Sequence, residues 1–407
     1  MKAAVDNDAQ GPPGTSYATK FTHCMTTRVQ VSAELLRWAR DRARLSVGDL
    51  AAKFPRLPQW ELGETAPTLK QLEAYAKATH ASVGYFFLPA PPDEPLPIPD
   101  FRTLGGRDVV HPSPNLLDTI YACQERQSWY REHAQGAGDR PLSFVGSATL
   151  TSPVVATAAS IRSALAFDLE QRRNCPTWTE ALRLFIGQAD RAGVMVMCSG
   201  VVLNNNRRHL DPEEFRGFAL ADPLAPLLFI NGADSKAAQM FTLAHELAHI
   251  WLGASGLSDA TVATHPQGDV EAWCNRVAAE VLAPLEVVRA ELRQGEETAT
   301  LVARLSRRFK VSSLVVLLRL LDAGRLTPGA FRTAYDAEIE RIARLPRPSG
   351  GGDFYLTTAA RVSKRFARAL VESTVEGRTL YRDAFRMLGI AKTDTFHELG
   401  RSLQFGS

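Results

Sequence analysis

Several absences narrow what this chain of 407 residues can be. No apolar run approaches the roughly 18 residues that a membrane-spanning helix needs, so no membrane role is expected. The opening stretch MKAAVDNDAQGPPGTSYATK has no apolar core and carries Asp6 and Asp8. It does not read as a secretory leader, and residues 1–26 read as a disordered tail. Cysteine is scarce: Cys24, Cys123, Cys175, Cys198 and Cys274 are an odd, scattered set without a Cys-x-x-Cys pair. That excludes a disulfide framework and points to a reducing, cytoplasmic setting. Tyrosine is missing between Tyr130 and Tyr335, which matters for any chemistry placed there.

Hydrophobic residues make up 45% of the chain and charged residues 22%, the proportions of a globular protein with real cores. The net charge of +3 is unevenly spread. Residues 91–300 hold 17 Lys and Arg against 26 Asp and Glu, and residues 301–407 hold 19 against 10. The basic C-terminal part suits a polyanionic partner or an acidic neighbour within the molecule.

Residue patterns predict a mostly α, α+β protein. Residues 27–90 read as short helices, with Ser46 as an N-cap and Pro67 just ahead of a further helix. Residues 91–110 contain the Pro-rich LPAPPDEPLPIPDFRTLGG and read as an extended linker. A helical region, 111–192, follows. Residues 193–297 contain the short apolar runs GVMVMCS and PLLFING, which read as strands, and then helices over 236–252 and 269–282. PLLFING, if it lies at a sheet edge, is a place where an extended peptide could pair. Residues 298–343 form a helix, turn and helix, 344–353 a second linker, and 354–407 a helical tail.

The chemistry concentrates in FTLAHELAHIWLG, residues 241–253. His245 and His249 lie four apart, so both imidazoles can face one ion from the same side of a helix. Glu246, beside the first of them, is placed to take a proton from a water polarised by that ion. A hydrolytic zinc site needs a third protein ligand and an open fourth position. Glu271, at the acidic start of GDVEAWCNRVAAEVLAP, shares a face with Asn275, Ala278, Ala279 and Leu282 and is the preferred candidate. Glu280, on another face, and His265, in the intervening loop, are the alternatives. For the oxyanion of peptide cleavage, with no tyrosine nearby, the local donor candidates are His265, His209 and Arg276.

PLLFINGADSKAAQMFTLAHELAHIWLG followed by EAWCNRVAAEVLAP resembles the ImmA/IrrE family of zinc metallopeptidases. The likeness covers about residues 190–326. It departs at Cys274 and Val277, where the family typically has Ala and Phe. The resemblance implies a gluzincin-like domain holding Zn2+ through His245, His249 and Glu271, with Glu246 as catalytic base. It also implies a limited cut in a DNA-binding protein, an Xre-type repressor or antitoxin-like protein, that releases genes under stress.

Two further segments resemble helix-turn-helix units. Residues 27–90 are similar to the Xre-type repressor domain through Trp60–Glu61 and Pro67–Leu69. Only PRLP separates LAAKF from QWE, where that family has most of its base-reading helix, so a degenerate unit with a protein-docking, repressor-mimicking or purely structural role is expected. LVARLSRRFKVSSLVVLLRLL is similar to the helix-turn-helix that follows the peptidase in the family. Its Arg304, Arg307, Arg308 and Lys310 are candidates for phosphate contact. A DNA-binding regulator or a toxin–antitoxin or defence interaction module, with a structural or conditionally active zinc site, is the competing function.

Overall fold

A computed structural model describes residues 28–101, 111–258, 269–344, 358–359 and 361–404. The expected N-terminal tail, all of the second linker beyond Arg344, and His265 lie outside the described residues. The chain divides into two compact units, residues 1–92 and 93–407.

In the first unit, α1 (Ala33–Arg42), α2 (Val47–Ala51), α3 (Leu57–Glu61) and α4 (Leu69–Ala78) precede a 3-10 turn, Val83–Phe87. Ser46 and Thr68 begin α2 and α4 with reciprocal capping boxes to Asp49 and Gln71. Pro58 sits in the first turn of α3, where its missing N–H costs nothing, and α3 stops after five residues. Trp60 packs against Phe54 and Tyr75, and Glu61 accepts two hydrogen bonds from Arg40, at 2.7 and 3.2 Å. Both residues of the Trp-Glu pair therefore hold the unit together.

The second unit is built on a four-stranded sheet in the order β1 (Met195–Ser199), β3 (Leu227–Asn231), β2 (Gly217–Leu220), β4 (Gly256–Ser258). β1 runs parallel to β3, and β2 is antiparallel to both β3 and β4. PLLFING is thus β3, paired on both sides, and not an edge; β4 lies at the end of the order.

Strand residues alternate between two cores, as a pleated sheet covered on both faces requires. Val196, Ala219, Leu228 and Ile230 face the larger core, with α6 (Val154–Ala164), α7 (Leu169–Arg173), α8 (Trp178–Ala192), α9 (Lys236–Leu252) and α10 (Asp269–Leu282). α11 (Leu285–Ala290), α12 (Thr298–Phe309), α13 (Ser313–Asp322) and α14 (Pro328–Ala343) extend that layer. Met195, Met197, Phe218, Leu220 and Phe229 face the other way, toward α5 (Pro114–Ala137) and helices Lys364–Val375, Tyr381–Leu388 and Thr393–Gln404. The expected helical tail is therefore a third layer whose Phe366, Leu370, Phe396 and Leu399 are core residues. Among the described residues no helix is long and apolar enough to cross a membrane. Cys123, Cys175, Cys198 and Cys274 are free thiols.

Candidate metal centre

α9 begins at Ser235, whose Oγ accepts from Ala238 N, and ends at Gly253 in the left-handed conformation. Every side chain from Gln239 to Trp251 is buried, which the uncharged residues around the two histidines permit. α10 packs on it, and its small Ala278 and Ala279 are buried in the same core.

Where α9 and α10 meet, the structure brings together His245, His249 and Glu271, with ligand-capable atoms all within 4.8 Å of one another. His249 Nε2 is 3.1 Å from His245 Nε2 and 3.1 Å from Glu271 Oε1, and His245 Nε2 is 3.3 Å from Glu271 Oε2. Two ligands each about 2.0–2.1 Å from a tetrahedral metal ion lie about 3.3 Å apart, so these spacings fit one ion. Asn275 Oδ1 lies 2.9 Å from His245 Nδ1, and in the tautomer that donates to it, His245 keeps Nε2 bare toward the cluster. Three donors, two nitrogen and one carboxylate, match what a catalytic zinc site needs.

Glu246 is completely buried beside this cluster. Its Oε1 accepts a hydrogen bond from Ser258 Oγ on β4, and its Oε2 has no hydrogen-bond partner among the described residues. Gly217 on β2 makes the space for it, since a Cβ there would lie 2.6 Å from Thr242 Cγ2 and 2.9 Å from Glu246 Oε1.

The electrostatics follow from burial and proximity. Burial pushes Glu246 up to about 8, with His245 and Ser258 pulling it back. Burial would raise Glu271 as well, but the two imidazoles, His245 foremost, hold it down to about 2. At His245 burial opposes the charged form and Glu271 outweighs it, raising the pKa. His249 is held below its ordinary value by burial, against the pull of Glu271.

The other candidates stand elsewhere. Glu280 is buried but engaged: it is ion-paired with Arg319 and accepts Leu285 N at 3.2 Å. Arg276 is exposed on α10, its Nε donating to Ala272 O, and His209 forms an isolated bridge with Val201. Neither joins the cluster. Of the four basic candidates, Arg304 pairs with Glu291 and Glu296, and Arg308 with Glu170 and Glu291. Lys310 is buried over the Trp178 ring, and Arg307 is exposed. Much of the basic charge of this segment is thus balanced inside the molecule.

Asn275 lies on the face of Glu271, as its i+4 spacing indicates, and its bond to His245 follows from the packing of α10 on α9. Ser258 and Gly217 carried no local signal, because their roles come from strand pairing across the sheet.

Residues 189–321 match the family model described as the IrrE N-terminal-like domain, and residues 362–402 match one described as a domain of unknown function. Over 106 residues the chain is 34% identical to the radiation response metalloprotease IrrE of Deinococcus radiodurans. That alignment takes in 25% of this chain and 32% of the relative, so the chain spans about a third of the length of the curated protein it matches. These likenesses support a metalloprotease domain of the ImmA/IrrE kind.

Proposed function

We propose that the protein is a zinc-dependent endopeptidase that makes a limited, site-specific cut in a DNA-binding repressor or antitoxin-like protein, so releasing the genes it silences. The observation that carries this reading is the convergence of His245, His249 and Glu271 on one point, with Glu246 anchored beside it. These three side chains would hold the ion and leave a further position open for substrate. Zinc, when bound there, supplies Lewis-acid polarisation of the scissile carbonyl and of the attacking water.

Glu246 supplies the proton traffic. In its ionised form it accepts a proton from the attacking water at Oε2, while Ser258 holds Oε1, and then delivers that proton to the leaving nitrogen. A protein substrate is supported by the likeness to a metalloprotease domain, and the repressor class is what the sequence resemblance implies. The competing reading, a DNA-binding regulator, is disfavoured by an N-terminal unit whose Trp60 and Glu61 serve its own packing and whose α3 is too short to fill a DNA groove.

The test is incubation of the zinc-loaded protein with an Xre-type repressor encoded beside it, followed by a search for one discrete fragment. Glu246→Gln should keep zinc by mass spectrometry and lose cutting by about 10²–10⁴-fold. Cutting at the normal rate by that variant would overturn the assignment. His245→Ala and Glu271→Ala should each lower the zinc content.

A further inference from the structure

The proposed chemistry leaves the segment Ile98–Phe101 unused, although it lies directly against the site. Leu257 N donates to Pro99 O at 2.8 Å and Phe101 N donates to Leu257 O at 2.9 Å, with Asp100 bridged to Leu257 in parallel. The segment is therefore a short added strand on the outer side of β4, and Ile98 is anchored in the core beneath the sheet. The Phe101 ring stacks on His249, centroids 5.4 Å apart and planes 17° from parallel. Its Cδ2–Cε2 edge lies against Gly256, where any Cβ would overlap it. Part of what reads in the sequence as a linker is thus built into the catalytic unit.

With this ring in place His245, Glu246 and His249 are wholly buried. An endopeptidase must nevertheless bring an extended chain against these groups. The backbone groups of Leu257 that the segment uses are those an incoming strand would need to extend the sheet.

We propose that Ile98–Phe101 occupies, from within the same chain, the place of the substrate's extended segment. The outer side of β4 is the docking strand, and the slot over Gly256 and His249 takes a large aromatic or apolar side chain of the protein that is cut. The segment competes with substrate for both, and cleavage begins when it moves aside. This rests on the endopeptidase reading above. Glycine at 256 makes the slot, and Phe101 shows the size and chemistry it accepts.

The test uses the full-length zinc-loaded protein and its Phe101→Ala variant. The variant should cleave the repressor, or unfolded casein where that is cut, about tenfold faster, because the competent state no longer has to be won from the segment. Amide hydrogen exchange over residues 256–258 should rise in the variant. The peptide Pro-Leu-Pro-Ile-Pro-Asp-Phe, added at millimolar concentration, should restore the protection and slow the cutting, whereas the same peptide ending in Ala should do neither. Equal cutting rates in the two proteins, or exchange that neither the substitution nor the peptide alters, would overturn the proposal. If neither protein cuts casein or repressor, the endopeptidase reading fails, and the exchange measurement still decides what occupies β4.

Discussion

Asn275 on α10 presents its side-chain oxygen 2.9 Å from Nδ1 of His245 on α9, so the helix that carries Glu271 also sets the ring opposite it. In the neutral tautomer that donates from Nδ1 to Asn275, the ring turns a bare Nε2 toward Glu271 and His249. Asn275→Ala removes the only acceptor seen at that nitrogen among the described residues while leaving the three candidate ligands in place. The expected result is a loss of about 10–100-fold in zinc affinity, read by competition with a chromophoric chelator. Asn275→Asp, which keeps an acceptor, should restore most of it. Unchanged affinity in the alanine variant would show that the ring is positioned by packing alone.

Gly217 gives a second, sharper test, because it acts on Glu246 and on none of the three candidate ligands. A methyl group at this position would press at 2.6 Å on Thr242 Cγ2 and at 2.9 Å on both Glu246 Oε1 and Phe229 O. The Phe229 oxygen is strand backbone and the Thr242 methyl is the end of a short, buried side chain, so the longer Glu246 side chain is the group that yields. Gly217→Ala should therefore keep its zinc, lose roughly 1–3 kcal/mol of stability through overpacking, and cut at least about tenfold more slowly. Equal kcat in variant and parent, with melting curves shifted as expected, would mean that Glu246 needs no such cradle.

These two residues show where the sequence is legible and where it stops. The His245–Glu246–His249 spacing is written in the period of one helix, and the small residues of α10 mark the face that carries Glu271. Helices α9 and α10 fall where the apolar pattern places them, since each is capped or begun by local chemistry. Ser258, Gly217 and Phe101 reach the site only because β4 pairs with β2 and with the segment before α5. A short strand such as Gly256–Ser258, with no alternation to read, carries no sign of its partner. The same holds for the C-terminal helices: their amphipathic faces predict burial but not that they close the second face of the sheet.

Asp190, near the end of α8, ties that third layer to the sheet and makes it sensitive to pH. Its Oδ1 accepts a hydrogen bond from Ser363 Oγ at 2.8 Å, and Ser363, at φ 68°, is the N-cap of helix Lys364–Val375. Burial pushes the Asp190 carboxyl up to about 6 from 3.8, with the hydrogen bonds from Ser363 and the backbone and the nearby Arg365 pulling it only partly back. A carboxyl whose folded pKa is raised favours the folded state in its protonated form. Its contribution is complete below about pH 4 and is lost as pH climbs through about 6. Two pKa units correspond to about 3 kcal/mol, an order-of-magnitude figure for the cost of keeping this charge buried above pH 7. Asn keeps the acceptor for Ser363 and carries no charge. Asp190→Asn should therefore melt several degrees above the parent at pH 8, with the gap narrowing toward zero at pH 4.5, when both proteins are followed by circular dichroism in matched buffers. A gap that stays constant across this range would show that Asp190 titrates as an ordinary solvated carboxylate, and a lower melting point at pH 8 that its charge is held by partners stronger than Ser363.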